Sequence, residues 1–303
     1  MQANYKGALY LSMAASIWGG MYVASKYALE TVPPFTLLFI RYLLASIILV
    51  LWCRYSNISI IPKEHQGLMF QIGFFGYFLS VGMQFVGTSL SSAHLGAAIT
   101  TLSPVFQSVF AVFLLNEAAT KRQIASITLS FIGILIVTDA INALREDTFN
   151  VGNLLFLTAA ALWGYYSVLA KKVADTHPVL RITTWGILLA TVFAAFPAMF
   201  ELGSWDASVL TNGMVFSSIL YLAVVSTVVA YYCWNKGLAL LNPHQAGLFM
   251  FLQSIVGSIL GYFLLGESLS MAFLVGTALI LLAVYFNIHS NELSQVKPIK
   301  RML

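Results

Sequence analysis

Of the chain's 303 residues, 59% are hydrophobic and only 9% are charged, and the mean hydropathy is +0.86. A soluble domain carries about 25% charged residues because its surface must face water, so a water-soluble protein is excluded and lipid is the expected solvent. The net charge of +4 and the pI near 9.0 fit a charge bias between membrane faces and call for no nucleic-acid partner.

A helix rising 1.5 Å per residue needs about 20 apolar residues to cross the hydrocarbon core. Such runs lie near 7–28, 34–53, 67–88, 93–115, 121–141, 152–170, 178–200, 213–235, 243–265 and 270–289. They do not alternate apolar with polar residues, as membrane β-strands would. The expected fold is an all-α membrane protein with ten transmembrane helices. The first run contains Lys26, exceeds a signal-peptide core in length and has no small-residue cleavage site after it. It counts as a span. The gaps at 54–66, 142–151 and 201–212 are loop-sized and leave no room for a soluble domain.

Loop cations set orientation. With the N-terminus inside, Lys6, Arg54, Lys63, Lys121, Arg122, Lys171, Lys172, Arg181, Lys236, Lys297, Lys300 and Arg301 are cytoplasmic, and only Lys26 and Arg145 are outside. Both termini are therefore predicted cytoplasmic, in a multi-pass protein of the inner cell membrane. Cys53 and Cys233 lie in or beside apolar runs and read as small buried residues without chemistry.

The chain repeats itself. An offset of 145 aligns Gly7 with Gly152, Ala15 with Ala160, Trp18 with Trp163, Gly19 with Gly164, Lys26 with Lys171 and Pro33 with Pro178. An offset of 150 aligns Gly87 with Gly237, His94 with His244, Leu102 with Leu252, Phe113 with Phe263 and Glu117 with Glu267. Five spans per half, an odd number, require the halves to enter the membrane in opposite senses. The expectation is two inverted five-helix repeats, an architecture that secondary transporters use for alternating access.

The strings ASIWGGMYVASKYAL, FTLLFIRYLLA and TTLSPVFQSVFAVFLLNEAAT, with AAALWGYYSVLAKK and FLQSIVGSILGYFLLGESLS in the second half, resemble the EamA-type repeat of the drug/metabolite transporter superfamily. The resemblance implies one five-helix unit at 7–141, a second at 152–289 and a cytoplasmic tail at 290–303. It also implies inside termini and export or exchange of amino acids, related metabolites or drugs. The chain departs from the family pattern at Ser254, where a proline is expected, and at Gly186, where the second half has no counterpart of Arg41.

Polar groups in a bilayer face protein or water-filled cavities. Tyr77, Ser80, Gln84 and Thr88 share one helix face, as do Thr100, Ser103 and Gln107, then Thr227, Tyr231 and Trp234, and Met250, Gln253 and Gly257. These stripes either line a cavity or only glue helices together. Trp18 and Trp163 lie about eleven residues, or about 16 Å, past the Gly opening each span, which is mid-depth. Tyr22 and Tyr166 sit close by. The expected substrate-binding set is Trp18, Tyr22, Tyr77, Gln84, Ser103, Gln107, Trp163, Tyr166, Tyr231, Trp234 and Gln253.

The charged candidates read more plainly. Lys26 and Lys171 suit snorkelling to the interface. Arg41, about 10 Å beyond Pro34, reaches either the outer headgroups or a substrate carboxylate, and the resemblance implies a structural role in the fold instead. Glu117 and Glu267 suit the dipole of the next helix start, Asp139 sits at an outer helix end, and His94 and His244 read as cap residues. Pro104 removes a helical donor and predicts a bend. No catalytic, metal-binding or cofactor motif is visible.

The sequence therefore predicts a secondary transporter of small metabolites, most plausibly amino acids, with the lipid bilayer and the substrate as its partners. Oligomeric state is not legible. A sugar-phosphate or nucleotide-sugar exchanger would need several cavity cations, and only Arg41, Lys26 and Lys236 qualify. A membrane enzyme acting on lipid-linked substrates would need acid/base or metal clusters at the interface.

Overall fold

The computed structural model describes residues 2–115, 150–174, 176–240 and 249–294, with scattered positions between 121 and 136. Among these residues there are helices and no strands. Helix α1 spans Gln2–Leu29 and α2 spans Pro34–Tyr55. The α2 start is fixed twice: proline occupies its first turn, and the Glu201 carboxylate accepts from the Thr36 amide (2.6 Å) and hydroxyl (2.8 Å). Helix α3 runs Gln66–Leu90.

The fourth apolar run is two helices, α4 at Ala93–Thr100 and α5 at Ser103–Leu115, interrupted at Thr101 and Leu102 just ahead of Pro104. The expected bend is thus a full break in the helix. The run at 121–141 lies mostly outside the described residues. Four helices follow: α6 at Val151–Ala174, α7 at Val179–Glu201, α8 at Gly213–Leu240 and α9 at Met250–Leu265. The Asn212 side chain caps α8 by accepting from the amide of Met214 at 2.9 Å. The last helix, α10, spans Met271–Ser294.

Among the described residues, five helices are long and apolar enough to cross a membrane: α2, α3, α6, α7 and α8. Shorter apolar stretches at Leu252–Leu265 and Met271–Ala283 accompany them. Of the other expected spans, the fourth is broken, α1 is diluted by serine, glycine and aromatic residues, and the fifth lies mostly outside the described residues.

Large apolar side chains face outward in helical stripes, Leu43, Ile47 and Leu51 on α2 and Val192, Phe196, Met199 and Phe200 on α7. Exposed faces of this size need a nonaqueous solvent. The interior, by contrast, holds Arg41, Gln84, Thr88, Asn235 and Gln253. The distribution is that of a helical membrane protein.

Two features position the centre. In α3 the backbone widens into a π-helix over Ile72–Leu79, and in α8 it does so over Tyr221–Val229, nearly the same place in the repeat. Packing is also reciprocal. Helix α1 lies against α8 and α9 while α6 lies against α3, α4 and α5, and α2 packs along α7. The close approaches match: a Cβ on Gly19 would meet the Gln253 carbonyl at 2.8 Å and the Gly257 amide at 2.9 Å, and one on Gly164 would meet the Gln107 amide at 2.6 Å and the Ser103 carbonyl at 2.8 Å.

Candidate functional site

A small cavity lies where these helices meet. It is lined by Trp18, Met21 and Tyr22 of α1, Gln84 of α3, Thr100 and Ser103 at the α4–α5 break, Ala159, Ala160 and Trp163 of α6, Tyr231 of α8, and Met250 and Gln253 of α9. Three pairs in this wall are repeat partners: Trp18 with Trp163, Thr100 with Met250, and Ser103 with Gln253.

The floor is aromatic. Trp18 and Trp163 meet edge to face at 5.2 Å, and Tyr231 lies 5.4 Å from Trp18 and 5.7 Å from Trp163. Trp18 Nε1 donates to the Ser226 carbonyl at 3.1 Å, whereas the buried Trp163 Nε1 has no acceptor. A polar belt crosses the opposite wall. Gln253 Nε2 donates to Thr100 Oγ1 at 2.8 Å, Tyr22 Oη and Thr100 Oγ1 are 2.6 Å apart, and Gln84 Oε1 lies 3.1 Å from Tyr22 Oη. Thr100 Oγ1 also approaches the Gly96 carbonyl at 2.6 Å. The Tyr22 and Thr100 hydroxyls have one proton each, so two protons serve three contacts. The belt keeps a spare acceptor for a ligand N–H.

Seven of the eleven expected site residues line the cavity: Trp18, Tyr22, Gln84, Ser103, Trp163, Tyr231 and Gln253. The other four stand behind or beside it. Tyr77 and Tyr166 share a hydrogen bond at 3.1 Å, and Asn235 joins them by donating to Tyr77 Oη at 3.0 Å and accepting from Tyr166 Oη at 2.8 Å. Trp234 backs Trp18 at 5.2 Å, and Gln107 presents its backbone to Gly164. Of the stripe residues, Ser80 donates to the Ala159 carbonyl and so ties α3 to α6, whereas Thr88 bonds back to the Gln84 carbonyl within α3. Met21, Ala159 and Ala160 carry no polar signal, and of them the sequence marks only Ala160, as the repeat partner of Ala15. Thr100 and Met250 lie on the predicted stripes but outside the expected set.

Arg41 is wholly buried and does not snorkel. Nε donates to Thr227 Oγ1 at 2.5 Å, Nη2 faces the Ser226 carbonyl and hydroxyl at 3.4 and 3.3 Å, and Nη1 faces the Met21 sulfur at 3.4 Å. Lys26 does not reach for lipid either: Nζ donates to the Thr88 and Ser91 carbonyls at the end of α3. Glu267 caps α4 rather than the helix that follows it, accepting from the Ala93 and His94 amides at 2.7 and 3.0 Å and contacting His94 Nδ1 at 2.8 Å. Burial pushes its carboxyl up, but these hydrogen bonds outweigh that and hold it below the ordinary carboxylate range. Glu117, Asp139 and His244 lie outside the described residues.

Residues 5–139 and 150–288 each match the EamA-like transporter family. The chain belongs to this family. An uncharacterized transporter of Archaeoglobus fulgidus is 26% identical over 285 residues, covering 93% of this chain and 97% of its own. A Salmonella typhimurium protein named "probable amino-acid metabolite efflux pump" is 26% identical over 278 residues, covering 90% and 91%. A solved crystal structure superposes with a TM-score of 0.67 over 96% of this chain and 99% of its own at 19% identity, which shows the shared fold.

In this EamA-like protein the cavity wall offers aromatic faces, two amides and four hydroxyls, and no acidic side chain. Such groups are suited to stacking and hydrogen bonding.

Proposed function

We propose that this EamA-like protein is a secondary transporter that exports or exchanges small metabolites, amino acids or related compounds, by alternating access. The observation that carries the reading is the pairing of repeat partners around one small cavity, Trp18 against Trp163 above all. Two similar half-bundles meeting at one site can rock about it and expose it to either side. The reciprocal packing of α1 and α6 and the matched π-helical segments support the same arrangement.

On this reading ten helices form two inverted repeats, at 7–141 and 152–289, with the 290–303 tail and both termini cytoplasmic in the inner membrane. The eleven residues predicted from sequence contribute as contacts or as their supports. The efflux-pump name of the Salmonella relative favours amino-acid metabolites as cargo. Uptake and counterflow in liposomes, with a pooled metabolite library, tests the proposal: accumulation of amino acids against an internal pool is expected, and no counterflow of any compound overturns it. Cysteine-accessibility tags test the inversion. Both termini, 54–66 and 171–177 should report the cytoplasm, and an external tag at 171–177 sinks the inverted repeat.

A further inference from the structure

We propose that Arg41 is a binding site for a substrate carboxylate, covered in this conformation by the Met21 side chain. The inference rests on the transport reading and adds the chemical class of the cargo.

A guanidinium keeps its charge even when buried, and a buried cation without an anion is costly. Arg41 is 0% exposed, yet all its partners are neutral. Among the described residues the one ion pair is His94–Glu267, at the start of α4. The guanidinium lies 5.4 Å from the ring centres of both Tyr42 and Phe85. Its donors are unevenly used: Nε and Nη2 have oxygen acceptors, whereas Nη1 has a thioether sulfur at 3.4 Å, a weak acceptor.

That sulfur belongs to Met21, which lines the cavity. Met21, a flexible side chain, thus touches both the under-used cationic donor and the cavity. Rotation of Met21 away from Nη1 lets a carboxylate oxygen take the place of the sulfur, converting a poor contact into a charge-assisted hydrogen bond. At the repeat-equivalent position stands Gly186, with the Tyr77 ring filling the space beside it. One cation, with no acid in the cavity wall, matches one negative charge. The aromatic floor matches an apolar body, and the spare acceptor of the Tyr22–Thr100 belt matches an N–H donor.

Counterflow in proteoliposomes of the full chain, using amino acids and the same amino acids as carboxamides, tests this. The free carboxylates are expected to compete at least tenfold better than their carboxamides. Arg41→Gln should erase that preference, and Arg41→Lys should keep part of it. Equal competition by acid and carboxamide in the unaltered protein, or a preference unchanged in a folded Arg41→Gln, overturns the inference and leaves the transport reading standing. No counterflow of either series, or of any library compound, overturns both. The comparison in the unaltered protein needs no variant, so it decides the matter even where Arg41→Gln misfolds.

Discussion

Equivalent corners of the two halves are filled in opposite ways. In one, a large cation on α2, Arg41, meets a small residue on the α8 π-helix, Thr227, with Met21 of α1 beside it. In the other, Gly186 of α7 leaves room for a large residue on the α3 π-helix, Tyr77, with Tyr166 of α6 beside it. Each residue of the first trio is the repeat partner of one in the second. The second corner is sealed by hydrogen bonds among Tyr77, Tyr166 and Asn235. The first is closed by a thioether. Duplication conserves the volume at a joint more strictly than its chemistry, which leaves one half free to become rigid and the other to acquire a charge.

The comparison can be broken most severely at the paired close approaches. Gly19→Ala and Gly164→Ala each place a methyl under 3.0 Å from the backbone of a facing helix. Overpacking of this kind costs about 1–3 kcal/mol. Both variants should lower the melting temperature in detergent by similar amounts, and full tolerance of one alone would show that the two interfaces are not equivalent.

The tryptophans sharpen it. Trp18→Phe loses a hydrogen bond to the Ser226 carbonyl, about 1 kcal/mol, whereas Trp163→Phe removes a buried donor that has no acceptor. The melting temperature should fall for the first and hold or rise for the second, while both shift counterflow rates or substrate preference. Equal destabilisation, or unchanged transport in both, would remove the asymmetry or the aromatic floor from the mechanism.

The smallest effect is expected where the halves agree. Ser46 and Thr191 are themselves offset-145 partners, and their hydroxyls meet at 2.9 Å between α2 and α7. A double-mutant cycle with Ser46→Ala and Thr191→Val should return a coupling of about 0.6 kcal/mol, the usual worth of an interhelical hydrogen bond in a membrane. A coupling of zero would mean that the contact is incidental.

Much of the cavity is legible in the sequence because it is built from repeat partners, and offsets can be read from a string. Trp18, Trp163, Ser103 and Gln253 emerge that way. A 3.6-residue period draws Tyr77 into the Gln84 stripe, but it sits in a π-helix whose i→i+5 turns advance at a different phase, so it turns toward Tyr166 instead. Tyr166 and Trp234 stand out as aromatic neighbours, and sequence proximity cannot distinguish a wall from its backing. Met21 is apolar, and its importance comes from what stands behind it. The destinations of Lys26, Glu201 and Glu267 are illegible for another reason. Each satisfies the end of a helix far away in sequence, and local charge patterns name only nearby helix ends.

One oxygen joins the aromatic floor to the buried cation. The Ser226 carbonyl accepts from Trp18 Nε1 at 3.1 Å and from Arg41 Nη2 at 3.4 Å. Two donors on one acceptor polarise it jointly, so a guanidinium drawn toward a ligand leaves the indole as the principal claimant on that oxygen. The electronic surroundings of Trp18 then change without Trp18 touching the ligand's charged group. The indole in the cavity wall is thereby tied to the buried charge through a single shared oxygen.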